Sequence, residues 1–263
     1  FSRLTSFVPD RAACTRRPRS LPAVVRRMTL RPVAVFRFSR AEGPGRFAHW
    51  LEANDRPYRL IALDLGEPVP DDPREFAGLG MMGGPMGAND DYPWRDPLAV
   101  LLRRAVDARV PVIGHCLGGQ ILSRALGGGV TRAPTTEIGW IDVEATDRAA
   151  ADEWFGGRER MNVFQWHYDA FTLPAGAKRV LANAWNPNQA CVIAARHIGF
   201  QCHVEMPADL VEAWCDMAPG ELPATSSPER QSRADILDGL DARIASLNAL
   251  ADGVYARWSR NLG

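Results

Sequence analysis

Pro111-Val112-Ile113-Gly114 follows a stretch, Pro97 to Ala108, whose leucines, valines and alanines recur at helical spacing, and it precedes a second apolar helix pattern through Ile121, Leu122 and Leu126. A strand this apolar is buried on both faces, which is the situation of a parallel sheet covered by helices on either side. The segments upstream fit the same plan. Val33-Ala34-Val35-Phe36 reads as a strand, the stretch carrying Phe47, Trp50 and Leu51 as a helix, Leu60 to Leu65 as a second strand and Gly78 to Met82 as a third. Strands alternating with helices predict right-handed crossovers and a doubly wound, mostly parallel α/β sheet. Ligands of such sheets bind beyond the carboxyl ends of the strands, so the chemistry is expected just after Met82 and just after Gly114.

The chain has 263 residues, 46% of them hydrophobic, enough to bury roughly 75% of the surface exposed on unfolding. Length alone allows one large domain or two small ones. Lys+Arg 31 balance Asp+Glu 31, so no global charge recommends nucleic acid or an anionic membrane as partner. The basic residues are arginines apart from Lys178, which reads as a coding bias. Cys14, Cys116, Cys191, Cys202 and Cys215 are odd in number and contain no Cys-x-x-Cys pair. That argues against a disulfide scaffold and against a zinc site of ordinary spacing, and it suits a reducing, cytoplasmic setting. Neither a metal nor a cofactor is expected. No apolar run approaches the ~18 residues of a membrane-spanning helix.

Residues 1–27 carry Arg3, Arg11, Arg16, Arg17, Arg19, Arg26 and Arg27 against the single acid Asp10, without helical or strand periodicity. They read as a basic leader upstream of a natural start at Met28, with an organellar transit peptide as the other reading. At the far end, Ser227-Pro228 resembles a helix N-cap followed by proline at the first helical position. Ile236, Leu240, Ile244, Leu247, Ala251, Val254 and Trp258 then form one apolar stripe, a helix packed on the domain or on a second copy of the chain. Pro219 to Pro228 is the linker candidate. The expected division is a leader over 1–27, a catalytic domain over 28–207 and a C-terminal helical extension over 208–263.

Gly114-His115-Cys116-Leu117-Gly118-Gly119-Gln120 lies at the strand-to-helix turn. A nucleophile between glycines there is a nucleophile elbow with cysteine in place of serine. The glycines remove Cβ atoms that would clash around a strained backbone. The positive end of the helix starting at Leu117 lies beside the sulfur and favours a thiolate, and the Leu117 amide points to where an oxyanion forms. The same residues taken alone fit a buried cysteine beside a tight turn. Phe200-Gln201-Cys202-His203-Val204-Glu205 adds a His-x-Glu at a strand end, where the carboxylate holds the tautomer of the imidazole and the other ring nitrogen faces a nucleophile. Gly83-Gly84-Pro85-Met86-Gly87, after the third strand, allows a second oxyanion amide, and as a sequence it is equally an ordinary turn.

Together these residues resemble the class I (triad type) glutamine amidotransferases over most of the chain from Met28 to Pro207, in the family's order of oxyanion loop, cysteine elbow and His-x-Glu. The resemblance implies a flavodoxin-like fold and the hydrolysis of the glutamine side-chain amide through a glutamyl thioester. It assigns Cys116 as nucleophile, His203 as general acid/base and Glu205 as its orienter. Leu117 and Gly84 become the oxyanion amides, and Gln120 and Gly83 line the glutamine pocket. Phe164-Gln165-Trp166-His167-Tyr168-Asp169 is similar to the family's Ser-His-x-Asp stretch, which makes Gln165, Trp166, His167 and Tyr168 substrate contacts, with Trp166 where a serine is common. Val204 replaces the proline of His-Pro-Glu. Asn188-Gln189-Ala190 and Gly139-Trp140 resemble a subgroup of stand-alone bacterial members with unassigned acceptors.

The implied partners are glutamine or another γ-glutamyl small molecule and, since only residues 208–263 follow the matched region, a separate synthetase subunit that would use the ammonia; a homodimer is compatible with the C-terminal stripe. A hydrolase of γ-glutamyl peptides or amides would need the same nucleophile and oxyanion hole, and a non-catalytic regulatory member of the fold is the reading from another class. His115 reads as a pocket-wall residue able to tune the thiol, and His49 and His197 as structural. Asn89-Asp90-Asp91 reads as a solvated loop, the remaining cysteines as small core residues, and Trp154, Trp185 and Trp214 as packing.

Overall fold

The computed structural model describes residues 30–263; the basic leader read over 1–27 lies outside the described residues. In chain order the elements are β1 (Val33–Arg37), α1 (Gly45–Ala53), β2 (Tyr58–Ala62), β3 (Gly78–Met81), α2 (Arg95–Asp107), β4 (Val112–Gly114), α3 (Leu117–Ala125), β5 (Val130–Ala145) and α4 (Arg148–Trp154). They continue with β6 (Arg160–Phe171), β7 (Lys178–Ala182), β8 (Ala190–Ile193), β9 (His197–Phe200), α5 (Ala208–Met217), α6 (Arg233–Leu237) and α7 (Leu240–Ser259). The sheet runs β2-β1-β3-β4-β9-β8-β7-β5-β6. From β2 to β9 neighbouring strands are parallel, and from β9 to β6 they are antiparallel.

Period-2 alternation in β1 sets the layers. Val33 and Val35 face one way, into a core shared with Phe47, Trp50 and Leu51 of α1 and with the buried face of α7. Ala34 and Phe36 face the other way, into a core with Leu98, Leu101 and Leu102 of α2 and Leu117, Ile121 and Leu122 of α3. The doubly wound, flavodoxin-like sheet with helices on both faces is therefore present, extended on one side by antiparallel strands. The long β5–β6 ribbon breaks its register between Arg132 and Glu137. Pro134 lies inside that break, where its missing N–H removes a rung of the ladder. The break leaves Glu137 fully buried.

The C-terminal helix differs from its expected start. Ser227-Pro228 is outside any helix; the cap is Ser232, whose hydroxyl accepts from the Asp235 amide at 3.3 Å. The helical region is then divided between α6 and α7 at Asp238-Gly239, where Gly239 takes φ 62°, a left-handed conformation open to glycine. Within α7, Leu247, Ala251, Val254 and Trp258 are fully buried against α1, α4 and the sheet of their own chain. Trp258 packs edge-on to Phe47 at 5.6 Å and lies over Gly78, where a Cβ would stand only 2.9 Å from the indole. Truncating it to Trp258→Ala should cost about 3–5 kcal/mol, read as a lower urea midpoint at unchanged m-value; a loss under about 1 kcal/mol would show that α7 is peripheral to the core.

Candidate active site

The start of α3 presses against the ends of β3 and β9, and glycines permit the approach. A Cβ on Gly118 would stand 2.5 Å from the Met81 carbonyl oxygen, and one on Gly119 would overlap the Phe200 carbonyl oxygen. Between Gly114 and Gly118, Cys116 adopts φ 47° and ψ −106°, a backbone state that L-residues avoid and that costs of order 1–3 kcal/mol. Backbone bonds hold it there: the His115 amide donates to Met81 O at 3.0 Å and the Gly118 amide to His115 O at 2.8 Å. Cys116 is buried but reaches a cavity of about 410 Å³. The Leu117 amide, first of α3, has no acceptor within the helix.

Beyond β9 the chain carries His203 back beside this elbow. Its amide donates to Phe164 O at 2.8 Å, and the Trp214 ring packs edge-on at 5.1 Å. Nδ1 donates to Glu205 Oε1 at 2.6 Å, while Nε2 is buried with no hydrogen-bond partner among the described residues. Burial works against the imidazolium, but the Glu205 carboxylate and the Cys116 sulfur outweigh it and hold the ring's pKa well above the usual histidine value. Burial likewise opposes the charge on Glu205, and His203 overrides it, holding the carboxyl down to about 2. The α1 start anchors this segment, since the Arg46 amide donates to Glu205 O at 2.8 Å.

Two loops complete the floor. Gly84 lines the cavity, and a Cβ there would stand 2.6 Å from Leu117 Cδ2, so the two oxyanion candidates adjoin. Gly83, read as a pocket residue, is covered by Glu42. The Glu42 carboxylate occupies the space a Gly83 Cβ would fill, with His203 Cε1 3.0 Å from the same point. Glu42 lines the cavity, and burial raises its pKa to about 7, a rise that His203 opposes and Glu205 reinforces.

The far wall comes from α3 and β6. Gln120 Nε2 donates to Asp169 O at 3.0 Å and to Gln201 Oε1 at 3.3 Å. His167 Nδ1 donates to Asp169 O at 3.1 Å, and its Nε2 stands 3.1 Å from Glu137 Oε2. The Trp166 indole, at 2.7 Å, and the Tyr168 hydroxyl both donate to Glu221 Oε2. Of the expected substrate contacts, Gln120, Trp166, His167 and Tyr168 reach the cavity. Gln165 does not: it is fully buried, and its Nε2 donates to Gln189 Oε1 at 2.8 Å. His115 is not on the cavity wall either. Its ring points behind the elbow, between Met81 O and the Tyr255 hydroxyl, each at 3.2 Å.

The family model for class I glutamine amidotransferases matches residues 61–209. The chain belongs to the class I glutamine amidotransferases. It is 32% identical over 191 residues to the glutamine amidotransferase-like protein YfeJ of Salmonella typhimurium, covering 69% of this chain and 78% of that one. A solved glutamine amidotransferase from Methylobacillus flagellatus superposes with a TM-score of 0.86 at 46% identity, covering 89% of this chain and 96% of the other. A GMP synthase of Aeropyrum pernix is 34% identical over 174 residues, covering 62% of this chain and 31% of the synthase, so the match spans about a third of that longer protein.

In this glutamine amidotransferase, Glu42, Trp214 and Glu221 are among the cavity residues that no sequence pattern marked. Trp214, read as packing, and Glu221, inside the expected linker, close the cavity from the C-terminal side. Glu42 lies in the β1–α1 connection, where a lone acid before Gly43-Pro44 carries no motif. Glu42 also has a cost. An acid whose pKa is raised on folding binds its proton more tightly folded than unfolded, so stability falls as pH rises from about 4.5 through about 7. Glu42→Gln should therefore unfold at higher denaturant than the parent above pH 7 and match it below about pH 4.5; equal midpoints at pH 8 would show that the carboxylate carries no burial cost.

Proposed function

We propose that this glutamine amidotransferase hydrolyses the side-chain amide of glutamine through a thioester on Cys116. The observation that carries this reading is His203, whose Nδ1 is fixed by Glu205 at 2.6 Å and whose charge the Cys116 sulfur beside it supports. The Cys116 thiolate adds to the amide carbonyl, and the oxygen gathers negative charge facing the Leu117 and Gly84 amides. His203 Nε2 gives its proton to the departing nitrogen, the C–N bond breaks and ammonia leaves. Water then loses a proton to the same nitrogen and attacks the thioester, releasing glutamate and restoring the thiolate–imidazolium pair. Glu205 stays ionised throughout and holds the tautomer.

Gln120, His167, Tyr168 and Trp166 are the proposed walls around the glutamyl group. The region over 28–207 is the proposed catalytic domain, with 208–263 as an extension that adds Trp214 and Glu221 to the cavity. An ammonia-using partner is proposed from the A. pernix GMP synthase, in which the matching part occupies 31% of a longer chain. A second reading, hydrolysis of larger γ-glutamyl amides, draws on the apolar wall formed by Trp214, Met217 and Ala218, which leaves room for a bulkier leaving group than ammonia.

Cys116→Ala should reduce glutamate and ammonia release from glutamine to background, and Glu205→Gln should lower kcat by about 10³–10⁴-fold at little change in KM. Turnover equal in the parent and Cys116→Ala would end the thioester reading. Larger γ-glutamyl amides outpacing glutamine would favour the second one.

A further inference from the structure

Glu42 stands in the cavity without a task in the reaction above. It is 9% exposed, and no hydrogen bond from another described residue supports its charge. A buried acid without a partner is costly, and folds retain such groups where a ligand supplies the missing partner. Its place within the site is specific. Glu42 Oε2 and His203 Cε1 both crowd the point where a Gly83 Cβ would be, and Cε1 lies between Nδ1, which Glu205 holds, and Nε2, the nitrogen proposed to deliver the proton.

The tetrahedral carbon formed on Cys116 has three further substituents to place. Its oxygen faces the Leu117 and Gly84 amides, and its aliphatic chain runs to the wall of Gln120 and His167. The remaining direction, occupied by the leaving atom, runs toward His203 Nε2 and the adjoining Glu42. For the C–N bond to break, the nitrogen must turn its lone pair to the Nε2 proton, which swings its own N–H bonds away from that ring nitrogen. An acceptor beside the ring holds that rotation. Against an ester, the ionised carboxylate would meet only lone pairs, a repulsive contact.

We propose that the Glu42 carboxyl accepts a hydrogen bond from the N–H of the leaving nitrogen, so that the site selects γ-glutamyl amides bearing an N–H over γ-glutamyl esters. This rests on the Cys116–His203 reading. Glu42 neither gains nor loses a proton in the step: the proton comes from His203, the C–N bond breaks, and Cys116 keeps the acyl group. A carbonyl oxygen of Glu42 can accept in either protonation state. The titratable groups acting on it are His203, which favours its ionised form, and Glu205, which opposes it.

The test compares glutamine with the γ-methyl ester of glutamate, using the full chain and its Glu42→Met, Glu42→Gln and Cys116→Ala variants. Glu42→Met should lower the amide-to-ester ratio of kcat/KM by about tenfold or more. Glu42→Gln, which keeps a carbonyl acceptor, should lose less than Glu42→Met. An equal fall on both substrates, or an unchanged ratio, would reduce Glu42 to a structural residue and overturn the proposal while the thioester reading stands. Activity unaffected by Cys116→Ala, or no turnover of either substrate by the parent, would overturn the thioester reading and this inference with it. Should Glu42→Met fail to fold, the parent protein supplies the measurement: a γ-glutamyl dimethylamide, with no N–H, should turn over at least about tenfold more slowly than the monomethylamide, and equal rates would overturn the proposal.

Discussion

Close contact between the first turn of α3 and the ends of β3 and β9 is the constraint on which the site depends. A Cβ at Gly118 or Gly119 would collide with a backbone carbonyl, of Met81 in one case and of Phe200 in the other. Such atoms belong to strands hydrogen-bonded on both sides and cannot give way as a flexible side chain can. The same contact forces Cys116 into its left-handed backbone state, aims its sulfur into the cavity, and sets the end of β9 near enough to the elbow for His203 to reach it. Strain at Cys116 and the proximity of His203 are thus two results of one packing event.

The elbow is also braced from behind. Burial holds His115 neutral, so one ring nitrogen donates and the other accepts. With Nδ1 donating to Met81 O, Nε2 accepts from the Tyr255 hydroxyl, which burial keeps protonated. Tyr255 belongs to α7, and Arg46 of α1 pairs with Asp252 of the same helix at 2.5 Å while its amide holds Glu205 O. The C-terminal helix therefore touches the supports of both Cys116 and Glu205. Its apolar stripe was readable as packing; that the packing reaches the elbow through His115 was not, because no spacing rule links a histidine beside the nucleophile to a tyrosine near the chain's end.

What was legible followed from local geometry. Gly-x-Cys-x-Gly between a buried strand and an apolar helix specifies one turn, and His-x-Glu specifies one pair of side chains two residues apart, so both could be found by spacing alone. The parallel sheet was legible for the same reason, since two-sided burial leaves an unbroken apolar run in Val112-Ile113 and in Val33 to Phe36. The β5–β6 ribbon was harder. Its ladder is interrupted at Pro134, and Gln165, which the resemblance to the Ser-His-x-Asp stretch placed among the substrate contacts, sits fully buried against Gln189 outside the cavity. Glu42, Trp214 and Glu221 each lie on a different connection or helix, and only the folded chain makes them neighbours.

Carboxylates around His203 divide by what surrounds them. Glu205 and Glu42 are both buried, yet Glu205 meets a ring nitrogen at 2.6 Å and is held ionised, while Glu42 lacks a donor and its pKa is driven up. Glu137 solves the same problem differently, accepting from Asn183 and Gln189 at 2.5 and 2.8 Å and standing 3.1 Å from His167. An acid that meets a donor fixes the side chain that donates to it, as Glu205 Oε1 fixes His203 and Glu137 fixes Asn183 and Gln189 beside His167, while Glu205 Oε2 is buried without a partner among the described residues. An unsatisfied acid fixes nothing in the free protein. Glu42 meets no donor among the described residues, so its charge is a cost to the folded chain that a donor entering the cavity would offset.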